Sequence, residues 1–534
     1  WDGAGIGVVM ADGESAIWVA TSDVMRAIRV LSCAWRVIDV DDQRQPTIAE
    51  WIAVYISKSH YMGNGWRTKV AAIREELRAN DANAMVVTSL DEVAWLLNIR
   101  GRDVPYAPLL KAFVVIGARD LHVYAPPGKL PMPVREALAA DACLHNNFNC
   151  TQVHDYGGIY TELRWRAGEW SKVLIPAGGT FQRGASAAIA QSVPISKRLF
   201  QLSPIVYLKA QKSVAEATGM RKAHVSDAVA MCTFFSYMED MRTVLTELSI
   251  ARKVDVTRGT QAGNVGVSML TRVAFGPNGA DPDYRQHNTT NRRVLTNGTL
   301  IISSGGQYDE GTTVVTRTLH FGKPTPEERR AYTTVLRSLS ALSSLKPPSS
   351  LPAAHADPVA RAPLWAARQD YYHPTGHGIG AALNRREVSI QIYVLSHFEL
   401  PVINVFFLEP SWYEPGKFGI RLGNVLELVS RPNNYLAFRE ATLIPYEPKL
   451  IDRTMLTEYE LNWLNEYNER IRKEVGPELE GQGLQDVYFW MMNKTIRFEP
   501  HAKQRKSMTD AAGALQQSLA FVLSWVSPKR SLLL

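Results

Sequence analysis

Ile301-Ile302-Ser303-Ser304-Gly305-Gly306-Gln307-Tyr308-Asp309-Glu310-Gly311-Thr312-Thr313-Val314-Val315-Thr316-Arg317-Thr318 is the stretch that decides how this chain is read. Two apolar, β-branched runs flank a glycine-containing turn, the pattern of two antiparallel strands. Three more landmarks lie on its C-terminal side. They are His373-Pro374-Thr375-Gly376-His377-Gly378-Ile379-Gly380, Glu409-Pro410-Ser411-Trp412-Tyr413 and Phe418-Gly419-Ile420-Arg421-Leu422-Gly423-Asn424.

A chain of 534 residues can bury a sizeable core and is expected to hold two or three domains. Hydrophobic content of 46% and charged content of 21% fit an ordinary globular composition. No uninterrupted apolar run reaches the roughly 18 residues of a membrane-spanning helix. The four cysteines, Cys33, Cys143, Cys150 and Cys232, have no metal-ligand spacing and read as reduced thiols. A net charge of +7 and a pI near 9.0 favour acidic partners, among them nucleic acid or an anionic lipid surface. No Lys/Arg block is dense enough to mark a nucleic-acid groove. Because the chain opens on Trp1, a preceding segment such as a targeting peptide is an open expectation.

Periodicity divides the chain into four parts. Residues 1–57 alternate short strands (Ile6 to Met10, Ala16 to Ala20, Trp35 to Val40) with a helix-like Val24 to Leu31. Residues 58–204 bring a helix over Lys69 to Ala79, then strands at Ala84 to Leu90, Ala112 to Gly117 and Leu121 to Tyr124. Residues 205–500 open with a helix reaching Glu239, in which His224 reads as a structural histidine, and contain the hairpin. Another helix is expected from Thr325 or Pro326. Ser338 to Pro363, rich in Ser, Pro and Ala, reads as a connecting loop with a short helix. Residues 501–534 form a basic tail whose Leu515, Leu519, Val522 and Val526 share one helical face.

Together the landmarks, with Leu90-Asp91-Glu92-Val93-Ala94-Trp95-Leu96-Leu97-Asn98-Ile99-Arg100-Gly101, resemble the Xaa-Pro aminopeptidases (aminopeptidase P). The resemblance implies a mixed α/β and α+β chain. Creatinase-type α/β domains, the first truncated (1–57) and the second over 58–204, would precede a pita-bread domain over 205–500 and a helical extension. It also implies two divalent metals, manganese or zinc, held by two Asp, one His and two Glu. Carried onto this chain, those positions are Ser303, Val314, His377, Glu409 and Gly423. Three of the five offer no carboxylate. Auxiliary histidine positions fall on Asp283, Arg386 and His373, and Pro374 stiffens the loop beside the last. Asp309 and Glu310 lie too far along the strands to substitute, at about 3.3 Å per residue.

Close dications need bridging carboxylates, so the sequence is read as a catalytically inactive relative. The expectation is a structural or adaptor subunit of a larger protein assembly, mitochondrial in preference to cytoplasmic, with no metal cofactor and no catalytic residue. His373, His377, Glu409 and Arg421 would be vestigial, and a homodimer stays open. The alternative is an active, metal-dependent Xaa-Pro aminopeptidase with a mononuclear site on His373, His377 and Glu409. A third reading is a peptide-binding module using Arg421 and the His373 loop.

Overall fold

Val273, Leu300, Ile302 and Leu319 are all buried, and the sheet they build is the floor on which the site stands. In the computed structural model the described residues are 5–9, 15–19, 27, 35–39, 54–56, 61, 63–140, 151–179, 183–239, 245–396 and 404–499. The chain through Ile496 forms one compact unit. The expected tail helix, Cys143 and Cys150 lie outside the described residues.

Three short strands begin the chain: β1 (Gly5–Val9), β2 (Ser15–Val19) and β3 (Trp35–Asp39). The first pair is antiparallel and the second parallel. Next comes a six-stranded sheet made of β4 (Ala84–Val87), β5 (Phe113–Gly117), β6 (Leu121–Ala125), β7 (Gln152–Asp155), β8 (Val173–Pro176) and β9 (Arg198–Gln201). Their order is β9-β8-β4-β5-β6-β7. Every residue of β4 and β6 is buried: α1 (Trp66–Ala79) and α2 (Leu90–Leu97) pack on one face of this layer, and Ile159, Leu163, Ile189 and Val193 cover the other. The Leu90 expected to end a strand instead starts α2, preceded by Ser89 in extended conformation.

α3 (Val214–Glu239) and α4 (Glu247–Gly259) lead into the pita-bread half. His224, buried in α3, donates from Nδ1 to the Met220 carbonyl at 2.7 Å. The hairpin forms as β11 (Gly298–Ser304) against β13 (Val315–Phe321), with β10 (Arg272–Phe275) on the other edge of β11. The intervening β12 (Gly306–Tyr308) departs from a simple hairpin by pairing with Asn264–Val267. α5 (Pro326–Ser343) begins on a Thr325–Glu328 capping box. α6 (Ala353–Ala366) packs against α5, and Ser338, Ser340 and Ser343 are buried inside the helix. The Ser338 to Pro363 stretch is therefore mostly helical: packing overrides the loop-like composition.

A five-stranded sheet closes the cleft. It comprises β14 (Gly376–Gly378), β15 (Glu387–Ile392), β16 (Val405–Leu408), β19 (Asn424–Arg431) and β20 (Tyr435–Glu440), in the order β15-β14-β16-β19-β20. A ribbon of β17 (Ser411–Glu414) and β18 (Phe418–Arg421) lies between β16 and β19 in the chain. The two halves are tied by a buried cluster in which Glu387 accepts from Lys209 at 2.6 Å and from Lys212 at 2.7 Å. Arg100 also donates to the Ala381 and Ala382 carbonyls.

Candidate active site

Strand register builds the first wall. Arg272 lies opposite Ser303, and Ser303 opposite Thr316. Residues in register share a sheet face, so these three side chains stand in one row. Glu409, just past the end of β16, meets that row. Its carboxylate accepts from Thr316 Oγ1 and is ion-paired with Arg421. A hydroxyl carries one proton. With Thr316's proton given to the carboxylate, the 2.8 Å contact to Ser303 is the serine O–H donating. Burial alone would raise the Glu409 carboxyl, but the Arg421 charge and the Thr316 hydrogen bond hold it below its usual range.

Both histidines are neutral. His377 donates from Nδ1 to the Gly378 carbonyl at 3.0 Å, and its Nε2 faces the Arg385 guanidinium at 3.5 Å. Burial, with Arg385 and Arg386 nearby, pushes its pKa down to about 3. His373 donates from Nδ1 to the Pro374 carbonyl and accepts at Nε2 from the Tyr413 hydroxyl at 3.2 Å. Burial and the Arg421 charge bring it down to about 4.

The remaining positions from the sequence analysis are occupied differently. Val314 is buried in an apolar cluster with Met220, Met269, Ile379, Phe407 and Val425. At Gly423 an added Cβ would come within 2.5 Å of the Phe407 ring. Asp283, at the rim, accepts from the Tyr372 hydroxyl at 2.8 Å. Arg386 is exposed, and its neighbour Arg385 is the one that reaches His377. Thr316, Phe407, Arg272 and Arg385 were not singled out from the sequence. Phe407 had a signal available: it lies two residues before Glu409, the spacing of one strand face. Arg272 had none, because its place depends on register across three strands.

A metal pair of the kind the fold is built for needs several carboxylates and open lone pairs. Here Glu409 is engaged by Arg421, His377 Nε2 confronts a guanidinium, and a phenyl ring fills the space beside Gly423. Among the described residues no three His, Cys, Asp or Glu side chains form a cluster able to hold a metal. These residues do not fit a dinuclear centre.

The architecture and cleft define the class: a pita-bread metallopeptidase fold carrying a creatinase-type α/β domain. Residues 45–216 match the Creatinase/Prolidase N-terminal domain, 218–429 match metallopeptidase family M24, and 434–498 match the C-terminal region of that peptidase. Over 457 residues the chain is 34% identical to Xaa-Pro aminopeptidase 1 of Dictyostelium discoideum, covering 83% of this chain and 70% of that protein. It is 34% identical over 439 residues to Xaa-Pro aminopeptidase app-1 of Caenorhabditis elegans, covering 79% and 69%. The crystal structure of X-prolyl aminopeptidase from C. elegans, a cytosolic enzyme with a di-nuclear active site, aligns with a TM-score of 0.78 and 27% identity, covering 91% of this chain and 89% of that one. The chain belongs to the Xaa-Pro aminopeptidase family of M24 metallopeptidases.

These relationships overturn the expectation of an inactive structural or adaptor subunit and the reading of the chain as a non-enzyme. The similarity runs through most of the chain, and the proteins that share it are peptidases. A count of ligands at five aligned positions identifies the atoms present there. It does not measure what the cleft turns over.

Proposed function

We propose that the chain is an Xaa-Pro aminopeptidase working through an altered site, releasing the first residue from peptides with proline second. One observation carries the reading: the His373–Tyr413 contact and the Glu409–Arg421 ion pair meet in one partly buried cluster built from separate elements of the peptidase frame. Sequence similarity to Xaa-Pro aminopeptidases along most of the chain supports it. A peptide's terminal ammonium would share the Glu409 carboxylate with Arg421. The Tyr413 hydroxyl, whose proton goes to His373 Nε2, keeps its oxygen as an acceptor for a peptide N–H.

The test is release of the first amino acid from Xaa-Pro and Xaa-Ala peptides, with manganese or zinc added and after chelation. Cleavage confined to the Xaa-Pro series, and reduced roughly 100-fold or more by Glu409→Gln, is the expected result. No cleavage under any of the metal conditions overturns the reading.

A further inference from the structure

The cleft holds an excess of positive charge that its own acids do not balance. The charges of four guanidinium groups, those of Arg272, Arg385, the exposed Arg386 and Arg421, act on the partly buried Glu409. Asp283 at the rim is the other carboxylate close by, and the exposed Arg285 adds a further positive charge beside Arg272. Among the described residues, only Arg421 forms an ion pair with Glu409, and its Nε–H is buried without a hydrogen-bond partner. Among the described residues, the Arg385 guanidinium makes one hydrogen-bond contact, with His377 Nε2. Among the described residues, the guanidinium groups of Arg272 and Arg386 make no hydrogen bond or ion pair. The partly buried Arg272 and Arg385 thus keep most of their five N–H donors without a protein acceptor among the described residues, and Arg386 presents its own at the exposed edge.

The placement of these arginines is enforced by the fold. Register puts Arg272 in the row with Ser303 and Thr316 that meets Glu409. The loop leading into β15 carries Arg385 and Arg386, and the salt-bridged Glu387 that follows them anchors it to Lys209 and Lys212. Like charges held together at a half-buried site are destabilising unless a counter-charge joins them. The counter-charge that suits planar, forked donors is an oxyanion, which two guanidiniums bind through parallel charge-assisted hydrogen bonds.

We propose that this arginine cluster is a binding subsite for a carboxylate of a peptide ligand, so that the cleft selects acidic peptides. The proposal rests on the reading of the cleft as a peptide site. A peptide can bring a carboxylate from two sources, an acidic side chain or the free C-terminus of a short peptide, and both present the same group to the guanidiniums.

Calorimetry on the full chain separates the sources with three peptides: Ala-Pro-Ala amide, Asp-Pro-Ala amide and Ala-Pro as the free acid. The proposal expects one or both anionic peptides to bind roughly tenfold to hundredfold tighter than the neutral one. That preference should shrink at high salt and disappear in an Arg385→Ala/Arg386→Ala variant, whose folding is checked by thermal unfolding. Equal affinity for all three peptides in the unmodified chain overturns it, whatever the variant does. Cleavage of the neutral peptide without any charge preference leaves the peptidase reading standing and removes the subsite. Binding of phosphate alone, with no peptide bound, also overturns the subsite, and the peptidase reading then falls separately on the hydrolysis assay.

Discussion

The ring of Phe407 stands where a side chain at Gly423 would have to go: a Cβ there would lie 2.5 Å from Cζ and 2.7 Å from Cε2. Phe407 also packs beside His377, with ring centroids 5.6 Å apart, and shares its apolar cluster with Val314 and Ile379. An apolar plug and a set of guanidiniums therefore divide the floor of the cleft between them.

Gly423→Ala should destabilise the fold by about 1–3 kcal/mol, the usual cost of forcing extra atoms into a packed core. The partner in the clash is a ring wedged in the core. Denaturant unfolding of Gly423→Ala, Phe407→Leu and the double variant checks this through a double-mutant cycle. A coupling energy of at least ~0.5 kcal/mol is expected, and strict additivity contradicts the clash.

Arg317 is buried, and among the described residues it bonds no carboxylate. Its guanidinium donates to the carbonyls of Thr316, Gly423, Ile444 and Pro445, to Asn424 Oδ1 and to the Tyr467 hydroxyl. It also lies 4.6 Å from the Tyr446 ring centre. Lysine keeps the charge but not the planar fork, so Arg317→Lys leaves buried acceptors unpaired. A loss of about 3 kcal/mol or more in unfolding free energy is expected, and a change below ~0.5 kcal/mol would contradict this role.

Glu387 accepts from two buried lysines, and Lys209 also pairs with Asp91 at 3.0 Å. Glu387→Gln strips the shared counter-ion from both amines. Breaking a buried pair on one side costs about 3–5 kcal/mol. Unfolding of Glu387→Gln against the unmodified chain measures it. The variant should also loosen the loop carrying Arg385, seen as faster amide exchange across residues 383–387.

Lys69 provides a pH signature. Its Nζ donates to the Trp95 carbonyl at 2.8 Å and to Asn98 Oδ1 at 2.6 Å, but among the described residues no acid bonds to it. Burial lowers its pKa from 10.5 to about 7. Between those values the unfolded chain holds a proton that the folded chain has released, so stability rises with pH through that window. Lys69→Met should flatten that rise. Chemical denaturation from pH 6.5 to 10 reads it, and an unchanged slope rules Lys69 out as its source.

Much of the local structure was visible in the chain itself. Alternating β-branched runs announce β11 and β13, and the Thr325–Glu328 spacing marks the start of α5, because these are short-range preferences of backbone and caps. The Ser338 to Pro363 stretch misled because burial of small serines between α5 and α6 outweighs their weak helical propensity. The positions lacking carboxylates, Ser303, Val314 and Gly423, could also be named in advance.

What takes the place of those carboxylates was settled only in three dimensions. Arg272 comes beside Ser303 through pairing between strands, Arg385 reaches His377 across the width of a loop, and Phe407 enters the space above Gly423 from the adjoining strand. Residue identity determines which charges and volumes are available, because a side chain carries its chemistry with it. Which of them meet depends on register and packing between segments far apart in sequence, and such contacts leave no local pattern to read.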